Sequence, residues 1–182
     1  MFDYEKFQKD VVAAMEKKLR EWSEDNDDIY ILSLDLARGM ESVGVYANTE
    51  DHLEEQMEEE DEEEFCYYKY CEEEWELCEV LDEISAYMRD YVNENSSSFS
   101  KENDEGLSIY TENFDAHCEQ MIDTCKKALE SFREATKKEY PKLLLAFNIR
   151  EYLDEEERME IFSLVNSKKA AKEYAKHIED FC

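Results

Sequence analysis

Apolar positions at the start of the chain, Phe2, Phe7, Val11, Val12, Met15, Leu19 and Trp22, recur mostly at three- and four-residue steps. That spacing predicts an amphipathic helix that closes in the polar stretch 23–28. The next run, from Ile29 to Ala37, is β-rich and almost continuously apolar, and Arg38-Gly39-Met40-Glu41 reads as a turn into residues 42–47. A β-hairpin is the prediction. Asn48 and Thr49 are N-cap residue types followed by Glu50 and Asp51, which suit the positive end of a helix dipole, so a second helix is predicted there. Phe65-Cys66-Tyr67-Tyr68-Lys69-Tyr70-Cys71 reads as a third strand on its aromatic and cysteine content.

Val80, Ile84, Tyr87, Met88, Tyr91 and Val92 mark another helix, and residues 93–110, polar and serine-rich at their start, read as a mobile connection. After Thr111, a candidate N-cap, Phe114, Cys118, Met121, Cys125, Leu129 and Phe132 share one face of a long helix taken as central to the fold. Pro141 follows it, and residues 143–149 form a last predicted strand. Asp154 with Glu157 is a capping-box start for a helix carrying Ile161, Phe162 and Val165, and Asn166-Ser167 caps a final helix to Phe181. These elements hold too few βαβ units for a doubly wound fold. The predicted class is a single α+β domain over residues 1–182, with a small, mostly antiparallel sheet of about four strands packed by about six helices.

Composition changes this picture mainly through charge. The chain has 182 residues, 21 Lys and Arg against 50 Asp and Glu, a net of −29, and 12 Tyr and 9 Phe, too many aromatics for a wholly disordered acidic protein. A field this negative argues against direct binding to nucleic acid or to anionic membranes. It is also uneven: residues 1–119 hold 9 basic and 37 acidic groups, while residues 120–182 hold 12 and 13. No apolar run reads as an export signal or a membrane span, which predicts a cytoplasmic protein. The six cysteines, Cys66, Cys71, Cys78, Cys118, Cys125 and Cys182, are then expected as reduced thiols.

Candidate chemistry is sparse. His52, His117 and His177 are the only histidines, and none sits in a catalytic motif. His117 beside Cys118 does not make a thiol–imidazole pair, because adjacent helical residues do not face each other. With 3 Gly and no GxGxxG or GxxxxGK pattern, no phosphate-cradling loop is expected. No catalytic residue, metal site or cofactor is predicted. From Glu54 to Glu64 nine of eleven residues are acidic, but the fixed Gly and Asx offsets of a calcium loop are missing. Glu58, Glu59, Glu60, Asp61, Glu62, Glu63 and Glu64 read either as a solvated face or as a surface for a protein partner with a basic patch. Asn48, Thr49, Tyr68, Tyr70, Glu74 and Trp75 join them as candidate partner contacts, because Tyr and Trp favour binding surfaces; the same residues also fill half-buried sheets.

The pattern Ala47-Asn48-Thr49-Glu50, then Tyr67-Tyr68-Lys69-Tyr70 with Glu74-Trp75 behind it, resembles a family of uncharacterised bacterial proteins, the domain of unknown function numbered DUF4303. The strand at Leu143–Asn148, the acidic helix start at Asp154–Glu157 and Val165-Asn166-Ser167 extend the likeness over nearly the whole chain. Two departures are Tyr70, where a Trp is commoner, and the length of the glutamate run. The resemblance implies a bacterial cytosolic protein without an established activity, with members sometimes encoded among immunity genes of polymorphic toxin systems. Three expectations follow. The first is an acidic binding protein, an immunity protein that occludes a basic toxin being one form of it. The second is an enzyme, or a small-ligand or metal-binding protein, with a cleft around Asn48, Tyr68, Glu74 and Trp75 and with His52 or Cys66 near by. The third is a housekeeping adaptor or oligomer subunit.

Overall fold

The computed structural model describes residues 1–57, 64–149 and 152–181. In chain order the elements are α1 (Tyr4–Trp22), β1 (Ile29–Leu36), β2 (Val43–Thr49), α2 (Glu50–Met57), α3 (Phe65–Tyr70), a 3-10 turn (Glu72–Glu74), β3 (Leu77–Val80), α4 (Asp82–Glu94), α5 (Ser96–Phe99), β4 (Ser100–Glu102), β5 (Ser108–Tyr110), α6 (Glu112–Thr136), β6 (Leu144–Ile149), α7 (Glu155–Val165) and α8 (Lys168–Phe181). The chain is α+β, with four strands in one sheet ordered β3-β2-β1-β6 and a separate β4-β5 hairpin. Antiparallel pairing joins β1 to β2 and β2 to β3, while β1 and β6 run parallel, so the sheet is mixed.

Alternation along the strands divides the interior into two cores. Leu32, Leu34 and Leu36 of β1, Val43, Val45 and Ala47 of β2, and Leu145, Phe147 and Ile149 of β6 face one way. They meet the stripe Phe7, Val11, Met15 and Leu19 of α1 and the stripe Phe114, Cys118, Met121, Cys125, Leu129 and Phe132 of α6. Each large side chain fully buried here contributes about 1.5–3 kcal/mol, so this layer carries most of the hydrophobic stabilisation. Ile31, Tyr46, Leu144 and Ala146 face the other way, toward Leu53, Tyr70, Trp75, Phe162, Tyr174 and Ile178. A register shift between Ile29 and Ile31 breaks the alternation. It lets Tyr30 join Ile31 in this second core instead of following the parity of Leu32.

Several predicted elements differ. Residues 65–71, read as a strand, form α3 and its C-cap, because Tyr70 packs edge-on against Phe162 and Tyr174, and Tyr67 reaches Glu74. Tertiary contacts outweigh the β-propensity of an aromatic run. The sheet position is filled by β3, with Val80 in that strand and α4 starting two residues later. Residues 93–110, read as a connection, carry the end of α4, α5 and the β4-β5 hairpin, whose loop has Gly106 at φ 76°. Eight α-helices stand among the described residues, against about six expected. The capping box at Asp154 and Glu157 is present, with both reciprocal bonds made.

Candidate functional site

The sequence candidates fold mostly inward. Asn48 is fully buried at the end of β2 and donates through Nδ2 to the Tyr30 hydroxyl at 3.2 Å, which in turn donates to the Lys69 carbonyl at 3.0 Å. Thr49, also buried, caps α2: its hydroxyl accepts the His52 N–H at 3.2 Å and bonds the Glu76 carboxylate. The carbonyl of Glu74 accepts from His52 Nε2 at 3.2 Å and from Gln56 Nε2 at 3.1 Å, while its carboxylate accepts the Tyr67 hydroxyl at 3.0 Å. Trp75 is buried, and its indole N–H has no hydrogen-bond partner. Tyr68 is half-buried with its ring edge-on to Tyr67, and Glu64 is exposed just before α3. Glu58, Glu59, Glu60, Asp61, Glu62 and Glu63 lie outside the described residues. The Asn48–Trp75 network therefore fastens α2, α3 and the 3-10 turn onto the second face of the sheet.

Beside this network lies a cleft of about 1260 Å³. It opens at the end of the sheet where the parallel strands β1 and β6 begin, with Tyr30 and Leu144 at its base. Leu53 and Met57 of α2 and Phe65 and Tyr70 of α3 give it an apolar wall. The opposite wall comes from three places brought together by the fold: the end of α6 with Arg133 and Lys137, the turn with Lys142, and the α7–α8 junction with Asn166, Ser167 and Lys169. Of the candidate contacts predicted from sequence, Tyr70 lines this cleft; Asn48, Tyr68, Glu74 and Trp75 do not.

The cleft reverses the charge of the chain around it. Lys69, Arg133, Lys137, Lys142 and Lys169 line it against Glu50, Glu54 and Glu173, in a protein whose net charge is −29. Lys69 is paired with Glu173 at 2.5 Å and Lys137 with Glu134 at 2.5 Å. Lys142 and Lys169 are exposed and have no ion pair among the described residues. Arg133 is half-buried and, among the described residues, bonds only neutral oxygens, with Nε donating to the Val165 carbonyl at 2.9 Å and Nη2 to Asn166 Oδ1 at 3.1 Å. Burial pushes its pKa down. Burial likewise raises the Tyr70 phenol, with the Glu173 carboxylate of α8 adding to the shift.

Residues 5–167 match the family model described as Domain of unknown function (DUF4303). This chain belongs to that family. No curated protein and no solved structure matches it. The DUF4303 match takes in the sheet, α1 through α7 and most of the cleft wall, and ends as α8 begins. Lys169, Ala170 and Glu173, on the α8 side of the cleft of this DUF4303 chain, lie beyond it.

Two buried histidines lie outside the cleft lining. His117 of α6 sits among Phe2, Tyr91 and Phe99, with its Nδ1 2.7 Å from the Tyr4 hydroxyl. Burial lowers its pKa to about 4, so the ring is neutral and shares one hydrogen bond with the tyrosine hydroxyl. His177 of α8 is held near 4 as well, chiefly by burial. Among the described residues no group of three or more His, Cys, Asp or Glu is placed to hold a metal ion. No helix among them is long and apolar enough to cross a membrane. The cleft lysines and Arg133 belong to no motif; for all but Lys69 the one sequence signal is the near-balance of charge after position 119, with 12 basic against 13 acidic residues.

Proposed function

We propose that this DUF4303 chain is a cytoplasmic binding protein whose ligand occupies the cleft between the α2–α3 wall and the α6–α8 wall. The observation that carries this reading is the charge reversal: five cations gather around one apolar-based cleft in a chain with more than twice as many acidic as basic groups. Such pockets, with apolar walls and a few polar groups, are the usual form of ligand sites, and this one is at or above the usual range of about 300–1,000 Å³. Cys71, Cys78, Cys118 and Cys125 form no disulfide among the described residues, which fits a reducing compartment. The test fills the cleft. Ala170, half-buried on its α8 wall, is replaced by Trp, and small-molecule extracts are screened by melting shift against both chains. A fraction that stabilises the natural chain and leaves Ala170→Trp unshifted supports the reading; equal shifts in both chains count against it.

A second reading keeps the acidic surface as a docking face for a basic protein, an occluded toxin being one case. Glu54 and Glu55 of α2, Glu64, Glu73 of the 3-10 turn, Glu76, Glu79 of β3, and Asp82 and Glu83 of α4 are all exposed, and β3 is an edge strand beside them. Carboxylates along an edge strand also discourage unwanted strand pairing, which is their plainer role. Capture of a basic partner that is released by salt, and lost when Glu73, Glu76 and Glu79 become Gln, distinguishes docking from edge protection.

A further inference from the structure

We propose that the ligand of this cleft is an amphipathic anion: a small molecule with an apolar body and a phosphate, sulfonate or carboxylate head. The proposal rests on the reading of the cleft as a ligand site and adds its chemistry. The decisive group is Arg133. A half-buried guanidinium is normally compensated by a carboxylate, because removing its charge from water is costly. Here both observed partners are neutral oxygens, those of Val165 and Asn166, and no carboxylate among the described residues lies within 4.0 Å of it. Guanidinium N–H groups not used by these two bonds remain for an anion.

Two further features converge on the same wall. Lys142 and Lys169 have no carboxylate partner among the described residues. The 14-residue helix α8 begins there, with the Ser167 hydroxyl accepting the Ala170 N–H at 3.2 Å, so its positive end lies at the cleft. Across from Arg133, Lys142 and Lys169, the side chains of Leu53, Met57 and Phe65 supply apolar surface for the body of the ligand, beside Glu50 and Glu54 of α2 on the same wall. The head belongs against Arg133, Lys142 and Lys169, and the body against the α2–α3 wall. The carboxylates that cover the rest of the chain repel the same anion, which directs it to this site.

The test compares decyl phosphate, decanol and decylammonium, each below its micellar concentration, by isothermal titration calorimetry on the full chain. Decyl phosphate is expected to bind once per chain, at least tenfold tighter than decanol. The double variant Lys142→Glu with Lys169→Glu, which removes two exposed groups and breaks no ion pair among the described residues, should weaken it at least tenfold while the melting temperature without ligand stays put. Ala170→Trp should abolish binding. Equal binding of decanol and decyl phosphate, both lost in Ala170→Trp, would overturn the anionic class and leave the cleft reading standing. Decyl phosphate binding that the lysine reversals do not change would also overturn it. Preference for decylammonium, or no binding by any of the three, would overturn the anionic class.

Discussion

The side-chain amide of Asn166 pairs with both backbone groups of Leu145, its Nδ2 donating to the carbonyl at 2.6 Å and its Oδ1 accepting the N–H at 2.9 Å. Leu145 belongs to β6, the sheet edge beside α7, so one amide side chain stands in for the peptide of a further strand. The same group donates to the Phe162 carbonyl at 2.9 Å and accepts from Arg133 at 3.1 Å. It therefore locks the end of α7, the start of β6 and the cationic wall of the cleft together.

Asn166→Ala should destabilise the chain by about 2–4 kcal/mol, because it strands the Leu145 N–H and carbonyl at a covered edge. Urea unfolding at neutral pH measures this. Asn166→Asp retains the acceptor and loses both donors, so it should fall between the natural chain and the alanine variant. A loss in Asn166→Ala below about 0.5 kcal/mol would mean that water replaces the amide at no cost.

Trp75 offers a prediction of opposite sign. Its ring is buried but its indole N–H is unpaired, so Trp75→Phe should cost little or even stabilise, within about 1 kcal/mol of the natural chain. Trp75→Ala, which empties the ring's volume between α2 and the sheet, should cost about 3–5 kcal/mol. Denaturant midpoints of the two variants separate the packing of this residue from its polar atom.

His117 makes the stability of the chain depend on pH. Its folded pKa is about 4, below the usual 6.5, so as pH falls the unfolded chain takes up the proton first. The associated stability is present above about pH 6.5 and is lost progressively as pH falls toward 4, by roughly 1–3 kcal/mol. His117→Phe removes this contribution while the carboxylates titrate alike in both chains. Subtracting the two urea midpoint profiles should leave a step between pH 6.5 and 4; parallel profiles would rule out a buried neutral imidazole.

Asp154→Ala breaks the capping box of α7 by removing the acceptor of the Glu157 N–H at 2.8 Å. A loss of about 1 kcal/mol is expected, with α7 losing amide-exchange protection first. Uniform loss of protection across the chain would show that α7 has no local opening of its own.

Much of the fold is written into local sequence. The three- and four-residue steps in α1 and α6, the hairpin around Arg38–Glu41, and Asp154 with Glu157 each specify an element through contacts close along the chain, and all appear where the pattern places them. The pattern fails where two elements compete for one position. Phe65–Tyr70 has the composition of a strand, yet Tyr70 buries more against Phe162 and Tyr174 of distant helices than a sheet edge would offer, and Leu77–Val80 takes the edge instead.

The candidate site divides along the same line. The sequence marked Asn48, Thr49, Tyr70 and Trp75 as unusual because polar and aromatic groups cluster there, and the structure uses most of them to seal the second core. Charge asymmetry along the chain was equally legible. That Arg133, Lys137, Lys142 and Lys169 form one wall, opposite Leu53, Met57 and Phe65, was not, because those residues come from six separate elements and turns. Local sequence sets periodicity, caps and net charge, which act within a few residues. The parallel pairing of β1 with β6 and the docking of α7 and α8 join segments more than a hundred residues apart, and only that long-range packing creates a cationic cleft in an acidic protein.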